Sequence, residues 1–473
     1  MSENRFSVSP EEVSKQNEYT GLVREIIDTR YVSKPLAFVH TYGCQGNVSD
    51  GEYIKGMLEQ MGYGLTDSLD DASLILYNTC AVREHAEDRV FGNVGALKGR
   101  KLANKDLKIF LCGCMMQQAH IAEKIRKSYS FVDVIFGTNV LHRLPEFVYR
   151  SLSSGKKIVE IPGGDGVIPE NLPIHRDSDF KAWLPIMYGC NNFCSYCIVP
   201  YVRGRERSRP PEVIIAEAQE LVKSGYKEIT LLGQNVNSYG KSPDYGMNFA
   251  QLLERINSID GDFRIRFMTS HPKDCTHELL DTMARCEKVA KHLHLPFQSG
   301  SDRILKAMNR GYTAEKYCSL VEYAYKVMPD ISITADVIVG FPGETYEDFG
   351  KTVELVQKCG FTSMFTFIYS PREGTPAAKL PDPVSAEEKG IWFRELLKAQ
   401  EDVAAKRTSG SVGRVYRVLC EGVSKSGLIE GRTEGNIIIE FPADESVIGT
   451  YQNVEVTESL TWILRGRAIE NNN

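Results

Sequence analysis

The chain contains no run of 18 apolar residues, which excludes a transmembrane helix. Its first 16 residues are polar and hold no apolar core of the kind a secretory signal needs. No internal repeat or low-complexity segment stands out. Basic charge is not in excess: 56 Lys and Arg stand against 62 Asp and Glu, a net charge of −6. The chain as a whole is therefore no basic nucleic-acid binder, and any polyanion has to be held by local patches. Against these absences stand 473 residues, 42% of them hydrophobic, a length that suggests about three domains at ~150 residues each. There are also 12 cysteines. With no secretory signal a cytoplasmic location is expected, and cysteines there serve metal binding or redox chemistry more readily than disulfides.

Residues 1–34 read as a loose leader with one helix near Tyr19–Asp28. From Pro35 to Leu152, short apolar strands (Ala37–Thr41, Leu74–Tyr77, Ile109–Leu111, Val132–Phe136) alternate with helices, the pattern of a parallel α/β sheet. Residues 153–179, rich in Gly, Pro and Asp, read as a linker. A second β/α series fills residues 180–406, with strands at Leu184–Tyr188, Ile229–Gly233, Ile265–Thr269, Leu293–Phe297, Ser332–Val339 and Ser363–Tyr369. Six units fit a partial (β/α)6 barrel better than a closed barrel of eight. The short β-rich runs of residues 407–473 indicate a small antiparallel β-barrel.

Cys190, Cys194 and Cys197 form C-x3-C-x2-C directly after the first strand of the six-unit series. Ligands of β/α folds gather at such strand ends. Three thiolates on one short loop suit a cubane iron–sulfur cluster with one iron left open. Zinc, which needs a fourth ligand or a water, and plain buried thiols are the alternatives. Farther upstream, Cys44, Cys80 and Cys114 each follow an apolar strand, at spacings of 36 and 34 residues. Equivalent positions on adjacent parallel strands lie side by side at the carboxyl edge, so this second trio should converge. Cys112, inside an apolar run, reads as core, and Cys275, Cys286, Cys318, Cys359 and Cys420 as scattered buried residues.

The C-x3-C-x2-C loop resembles that of the radical S-adenosylmethionine (AdoMet) superfamily. The two trios, the six-unit series and the terminal barrel together resemble the methylthiotransferases of that superfamily over residues 35–470. Further matching stretches are Asn78 through Glu84, Tyr188 through Arg209, Leu232 through Tyr239, Thr269 through Pro272, Leu295 through Asp302 and Asp336 through Glu344. The continuation Val82-Arg83-Glu84 sets the chain apart from relatives that act on a ribosomal protein or on threonylcarbamoyladenosine, which usually lack it. Gly46 and Met116 depart from the usual pattern without touching a ligand position.

The resemblance implies two 4Fe–4S clusters, an AdoMet-binding one at Cys190, Cys194 and Cys197 and an auxiliary, sulfur-carrying one at Cys44, Cys80 and Cys114. It implies methylthiolation of C2 of N6-isopentenyladenosine at position 37 of tRNA, on the anticodon stem-loop. An aromatic C2–H offers neither an acidic proton nor a good electrophile, so a radical step fits that chemistry. It also implies a flavodoxin- or ferredoxin-like electron donor, a monomer, no membrane partner, and a terminal barrel of the TRAM type, an OB-like RNA-binding module. AdoMet is expected against Gly233, Gln234, Asn235, Ser270, Gln298, Ser299, Gly340, Phe341 and Pro342, which follow successive strands. Gly340 would permit close approach to the adenine.

RNA contact is expected from Arg203, Arg205, Arg207 and Arg209, whose alternation would let several face one way, and from Arg414 and Arg417, with Arg465 and Arg467 beside them. Residues 407–473 carry 7 Lys and Arg against 9 Asp and Glu, so any grip there has to be one localised face. A basic run at Lys98, Arg100, Lys101, Lys105 and Lys108 is read equally as cations complementing a helix end. Two rival functions stay open at this point. One is methylthiolation of a ribosomal-protein side chain. The other, from a different class, is an iron–sulfur electron-transfer protein whose barrel binds RNA.

Overall fold

The computed structural model describes residues 6–82 and 84–469. They divide into one unit of Met1–Asp177, Met187–Asn191 and Cys197–Arg209, and another of Ser178–Ile186, Asn192–Tyr196 and Pro210–Asn473.

In the first unit the expected leader is ordered as helix α1 (Pro10–Arg30). Ser9 accepts the Glu12 amide at its start, Pro10 opens it, and Glu11 and Glu12 sit in the first turn, the residues that favour a helix N-terminus. Its Val23 and Ile27 are buried in one core with Leu144 and Phe147, so it is part of the fold. Then follow β1 (Leu36–Thr41), α2 (Gln45–Gln60), β2 (Gly64–Leu65), β3 (Ala72–Thr79), α3 (Glu84–Ala103), β4 (Lys108–Gly113), α4 (Ala119–Ser128), β5 (Val134–Phe136), α5 (Leu144–Ser154) and β6 (Ile158–Glu160). The strands form one parallel sheet in the order β2-β1-β3-β4-β5-β6.

Leu74, Leu76, Phe110 and Cys112 belong to one core, and the alternate residues Ile75, Tyr77, Ile109 and Leu111 to another. That is why the central strands read as unbroken apolar runs rather than alternating ones. The order reverses at β1, with β2 on one side and β3 on the other, and the carboxyl edge of such a reversal forms a crevice. The expected linker also needs correction. β6 is the sheet's last strand, Ile168 bridges Ser7, and the backbone of Ile174 lies 2.6 Å from where a Cβ on Gly56 would be.

Next along the chain come β7 (Lys181–Pro185), β8 (Met187–Tyr188), α6 (Val199–Arg203) and β9 (Arg207–Ser208). β8 pairs with β9 in the first unit, whereas β7 belongs to the second. The second unit continues with α7 (Pro211–Lys223), β10 (Glu228–Leu232), α8 (Phe249–Asn257), β11 (Arg264–Met268), α9 (His277–Arg285), β12 (His292–His294), α10 (Asp302–Ala307), α11 (Ala314–Val327), β13 (Ser332–Val339), α12 (Tyr346–Cys359), β14 (Ser363–Ile368) and α13 (Ala386–Ser409). The strands form two parallel sheets, β11-β10-β7 and β12-β13-β14. A bridge between Ile265 and Val289 links them in sequence, giving the expected six-stranded partial barrel.

The chain closes with β15 (Val415–Val423), β16 (Ile429–Arg432), β17 (Ile438–Phe441), β18 (Tyr451–Ser459) and β19 (Ile463–Ala468), a closed barrel in the order β15-β16-β17-β19-β18. It is antiparallel except where β17 and β19 pair in parallel. β16, only Ile429-Glu430-Gly431-Arg432 with adjacent Glu and Gly at its centre, gives no strand signal of its own. At the amino ends of β10 and β11, Glu228 accepts Arg266 at 2.6 Å and lies 3.5 Å from Arg264. The two guanidiniums also donate to the carbonyls of Arg417, Arg432, Thr433 and Glu434. Burial alone would raise the Glu228 carboxyl, but Arg266 and Arg264 hold it below its usual range. The small barrel is thus fastened at the strand ends opposite those that carry the expected cofactor residues.

Candidate metal centres and cofactor site

The upstream cysteines converge within the first unit. Thr79 of β3 pairs with Gly113 of β4, so Cys80 and Cys114 are the next residues at matching positions. Gly113 has φ +96°, and a Cβ there would lie 2.4 Å from the Thr79 carbonyl oxygen. Only glycine allows this turn. It ends the alternation of β4, so Cys112 packs in the core while Cys114 joins Ala81, Ile198 and Val202. Cys44 caps α2, and a Cβ on Gly43 would lie 2.7 Å from Cys80 Sγ.

Asn47, wholly buried, ties the three together. Its amide donates to the carbonyls of Tyr42 and Thr79, each at 2.9 Å. Its Oδ1 lies 3.5 Å from Cys114 Sγ and 4.0 Å from Cys44 Sγ. Asn78 donates to the Asn47 carbonyl and Thr79 to that of Cys112, which gives the polar residues of the Asn78-Thr79-Cys80 stretch a structural task. Arg83 of that stretch lies outside the described residues.

Among the described residues no three Cys, His, Asp or Glu side chains are drawn close enough to grip a single metal ion. A cubane asks for something wider, because each thiolate binds a different iron. Burial pushes the Cys114 thiol up to about 12, with Arg203 opposing and Cys80 and Cys44 adding to the rise. Such a thiol stays protonated unless a metal takes the proton's place. Three convergent sulfurs, two buried and that of Cys44 half-buried, fit a cluster.

The C-x3-C-x2-C loop is held at its start and at its middle. Gly189, at φ +72°, leaves room for the Arg205 carbonyl oxygen, which would lie 2.1 Å from a Cβ, and Cys190 donates its amide to Gly204. In the second unit, Ser195 donates its amide to Met308 and its hydroxyl to Ala307, and accepts from Ala377. Arg310, buried, lies 3.6 Å from Cys194 Sγ and donates to Tyr312 Oη at 3.0 Å and to the Pro296 carbonyl at 2.5 Å.

Past the carboxyl ends of β10, β11 and β12 stand Asn235, Thr269, Ser270, His271 and Gln298. Asn235 Oδ1, Thr269 Oγ1, Ser270 Oγ, His271 Nε2 and Gln298 Oε1 are buried without a hydrogen-bond partner among the described residues. Burying polar atoms unpaired is costly, so this edge fits a polar ligand with several donors and acceptors, as AdoMet is. Asn235, Ser270 and Gln298 were expected from sequence. Thr269 and His271 were not singled out, although both stand in the Thr269–Pro272 stretch. Gly233 exchanges amide bonds with Met268 and Thr269, Gln234 is half-buried, and Ser299 Oγ already accepts the Ser301 amide.

Gly340, Phe341 and Pro342 lie in a turn packed against α13. A Cβ on Gly340 would meet the Lys389 side chain at 2.5 Å, so the glycine makes room for α13. The amides of Gly340 and Phe341 are taken by Glu344, the Phe341 ring is core with Ile304 and Met308, and Pro342 is buried beside it. These residues build the turn rather than offer free groups.

Burial raises the Glu344 carboxyl to about 7 from its usual 4.5, although the two amides oppose it. Its folded form holds the proton more tightly than the unfolded chain, so its contribution is complete below the unfolded value and is lost as pH rises through 7. Stability in denaturant should fall by up to on the order of 3 kcal/mol from pH ~4.5 to ~7.5 through this group. The Glu344→Gln variant should show a flatter profile.

The Radical SAM superfamily matches residues 184–356, the uncharacterized protein family UPF0004 residues 37–137, and the TRAM domain residues 411–469. A tRNA-2-methylthio-N(6)-dimethylallyladenosine synthase of Acetivibrio thermocellus is 49% identical over 467 residues, covering 98% of this chain and 97% of that one. One from Alkaliphilus oremlandii is 49% identical over 465 residues, with 98% of each covered. The chain belongs to the tRNA-2-methylthio-N6-dimethylallyladenosine synthase family. Its fold is also that of the radical AdoMet methyltransferase TsrM of Kitasatospora setae, whose structure holds cobalamin and a 4Fe–4S cluster. The TM-score is 0.51 at 14% identity, with 73% of this chain and 77% of that one covered. As a member of this synthase family the chain is an enzyme of radical AdoMet chemistry with iron–sulfur cofactors.

Within that family setting the arginines fall into place differently from the expectation. Residues 203–209 are not one strand: Arg203 ends α6, and only Arg207 and Ser208 form β9. Arg203, Arg207 and Arg209 are buried and Arg205 alone is exposed. Arg209 makes a two-point pair with Glu170 at 2.9 and 2.6 Å. Arg207 donates to the carbonyls of Arg205 and Arg203. In the small barrel Arg414 pairs with Asp330, Arg417 with Asp262, Arg465 with Glu458 and Arg467 with Glu455. These pairs are exposed and worth little, so a phosphate can compete for them. Of the upstream basic run, Arg100 pairs with Asp70, Lys101 with Asp133, and Lys108 donates to Ser151, which favours the structural reading. Cys318 and Cys359, expected as isolated, lie 3.8 Å apart at their sulfurs.

Proposed function

We propose that this enzyme adds a methylthio group to C2 of N6-dimethylallyladenosine in tRNA, at position 37 of the anticodon stem-loop. The observation that carries the reading is the gathering of Cys44, Cys80 and Cys114 around Asn47, in a chain that also holds the C-x3-C-x2-C loop. In this reading Cys190, Cys194 and Cys197 hold one 4Fe–4S cluster, and Cys44, Cys80 and Cys114 hold another. When bound, the first cluster and AdoMet supply a 5′-deoxyadenosyl radical, and the second supplies sulfur. Asn235, Ser270, Gln298, Thr269 and His271 orient the polar groups of AdoMet, while Arg205 and the paired arginines of the terminal barrel meet RNA phosphates. A flavodoxin- or ferredoxin-like donor, a monomeric state and a cytoplasmic location accompany this reading.

The test is anaerobic incubation of the reconstituted protein with AdoMet, a reductant and an isopentenylated anticodon stem-loop. Mass spectrometry of the nucleosides should show a methylthio group in place of one hydrogen. An unmodified stem-loop alongside a methylthiolated ribosomal protein in a parallel reaction would overturn the proposal.

A further inference from the structure

Arg203 is a buried, closely partnered charged group of the first unit that the reading above leaves without a role. Its side chain is only 8% exposed. Nε lies 3.1 Å from Cys114 Sγ, and one terminal nitrogen reaches Asn47 Oδ1 at 2.8 Å and Asp50 Oδ2 at 2.6 Å. Asn47 and Asp50, three residues apart, lie on one face of α2. The guanidinium therefore meets the trio with its charge offset by a carboxylate and its orientation locked by an amide. A planar fork can do this and an ammonium cannot.

The placement of Arg203 is built into the backbone. Cys197 lies two residues before α6 and Arg203 ends it, a span of about 9 Å at ~1.5 Å per residue. Ile198 and Val202 pack against Ala81 and Cys114, and Thr138 donates to the Val202 carbonyl at 2.6 Å. Gly204, at φ +73°, turns the chain where a Cβ would meet the Asp165 backbone at 2.6 Å. A residue held this way cannot swing out to an RNA phosphate.

We infer that Arg203 is a positioning residue of the auxiliary cluster: its Nε–H donates to the Cys114 thiolate and raises the reduction potential of that cluster, while Asp50 moderates the rise. This rests on Cys44, Cys80 and Cys114 being cluster ligands. Adding one electron makes the cluster more negative, so a donor to a ligand sulfur favours the reduced form, and hydrogen bonds to sulfur are an established lever on such potentials. Losing the donor removes a charge-assisted bond, and losing the carboxylate leaves an uncompensated cation beside the sulfur. The two changes act in opposite directions.

The experiment uses the full-length chain with Cys190, Cys194 and Cys197 all replaced by alanine, leaving the upstream trio to bind iron. Anaerobic redox titration followed by electron paramagnetic resonance gives the midpoint potential. Arg203→Lys should shift it negative by on the order of tenfold in the redox equilibrium, about 59 mV for one electron. Asp50→Asn should shift it positive, and Arg205→Ala should leave it where it was. Unchanged potentials in both Arg203→Lys and Asp50→Asn would overturn the inference. If Arg203→Lys fails to hold the cluster, the Asp50→Asn shift decides alone. A parent triple variant that binds no cluster would instead remove the ligand assignment, and the inference with it.

Discussion

Replacing Cys190 with alanine should reduce AdoMet cleavage to background. With reductant and AdoMet present, 5′-deoxyadenosine should fall below detection by chromatography. The cause is ligand count. A four-iron cube held by three thiolates has one open iron for a small molecule, and with two thiolates it has no stable hold. Cys190 sits where this can be tested with little other damage. It is half-buried, and its amide, which the substitution leaves intact, is what joins it to Gly204. Iron per chain should drop from about eight to about four as one of two cubes is lost. Cleavage at the parent rate would show that Cys190 is not a ligand.

The second large effect separates the two sites. Cys44→Ala should retain formation of 5′-deoxyadenosine and lose the methylthio product to background. Cys44 caps α2 in the first unit, with its sulfur near Asn47, and no step in holding or cleaving AdoMet calls on it. Loss of product with cleavage intact is the signature of a missing sulfur carrier. Cys112→Ala is the matched control, since its thiol packs in the core two residues from Cys114. It should keep both reactions and cost only stability, by about 1–2 kcal/mol for a small buried truncation. Parent-level product from Cys44→Ala would refute the sulfur-carrier role.

Much of this architecture was legible because its signals are periodic. The apolar runs at Leu74–Tyr77 and Ile109–Leu111 and the similar spacings of Cys44, Cys80 and Cys114, 36 and 34 residues, pointed to both the sheet and the meeting point of the thiols. The strand Ser332–Val339 was read to the residue. Signals that depend on local chirality or on distant partners were not legible. Cys112 and Cys114 are two residues apart and would share a face in an ordinary strand. The positive φ of Gly113 sends them to different surroundings. The alternation from Arg203 to Arg209 suggests several side chains facing one way towards phosphates, yet a helix end at Arg203 and a carboxylate far upstream, Glu170, put three of the four side chains inside. Asn47 and Asp50 carried no motif at all. A buried amide or carboxylate on a helix face is indistinguishable in sequence from an exposed one. Gly340 reads in sequence as clearance for a ligand because a strand-end glycine suggests an approach, and on its Cβ side the approaching group is Lys389.

The fastening of the terminal barrel bears on how its contribution to RNA recognition can be dissected. Arg264 and Arg266 end on main-chain oxygens of Arg417, Arg432, Thr433 and Glu434. Cutting the chain after α13 would strip those acceptors away and strand two guanidiniums on a single carboxylate. A truncated enzyme would therefore be crippled at the floor of its catalytic half, and its inactivity would say nothing about nucleic acid. Charge reversal at the rim, at Arg414 or Arg467, leaves that floor whole.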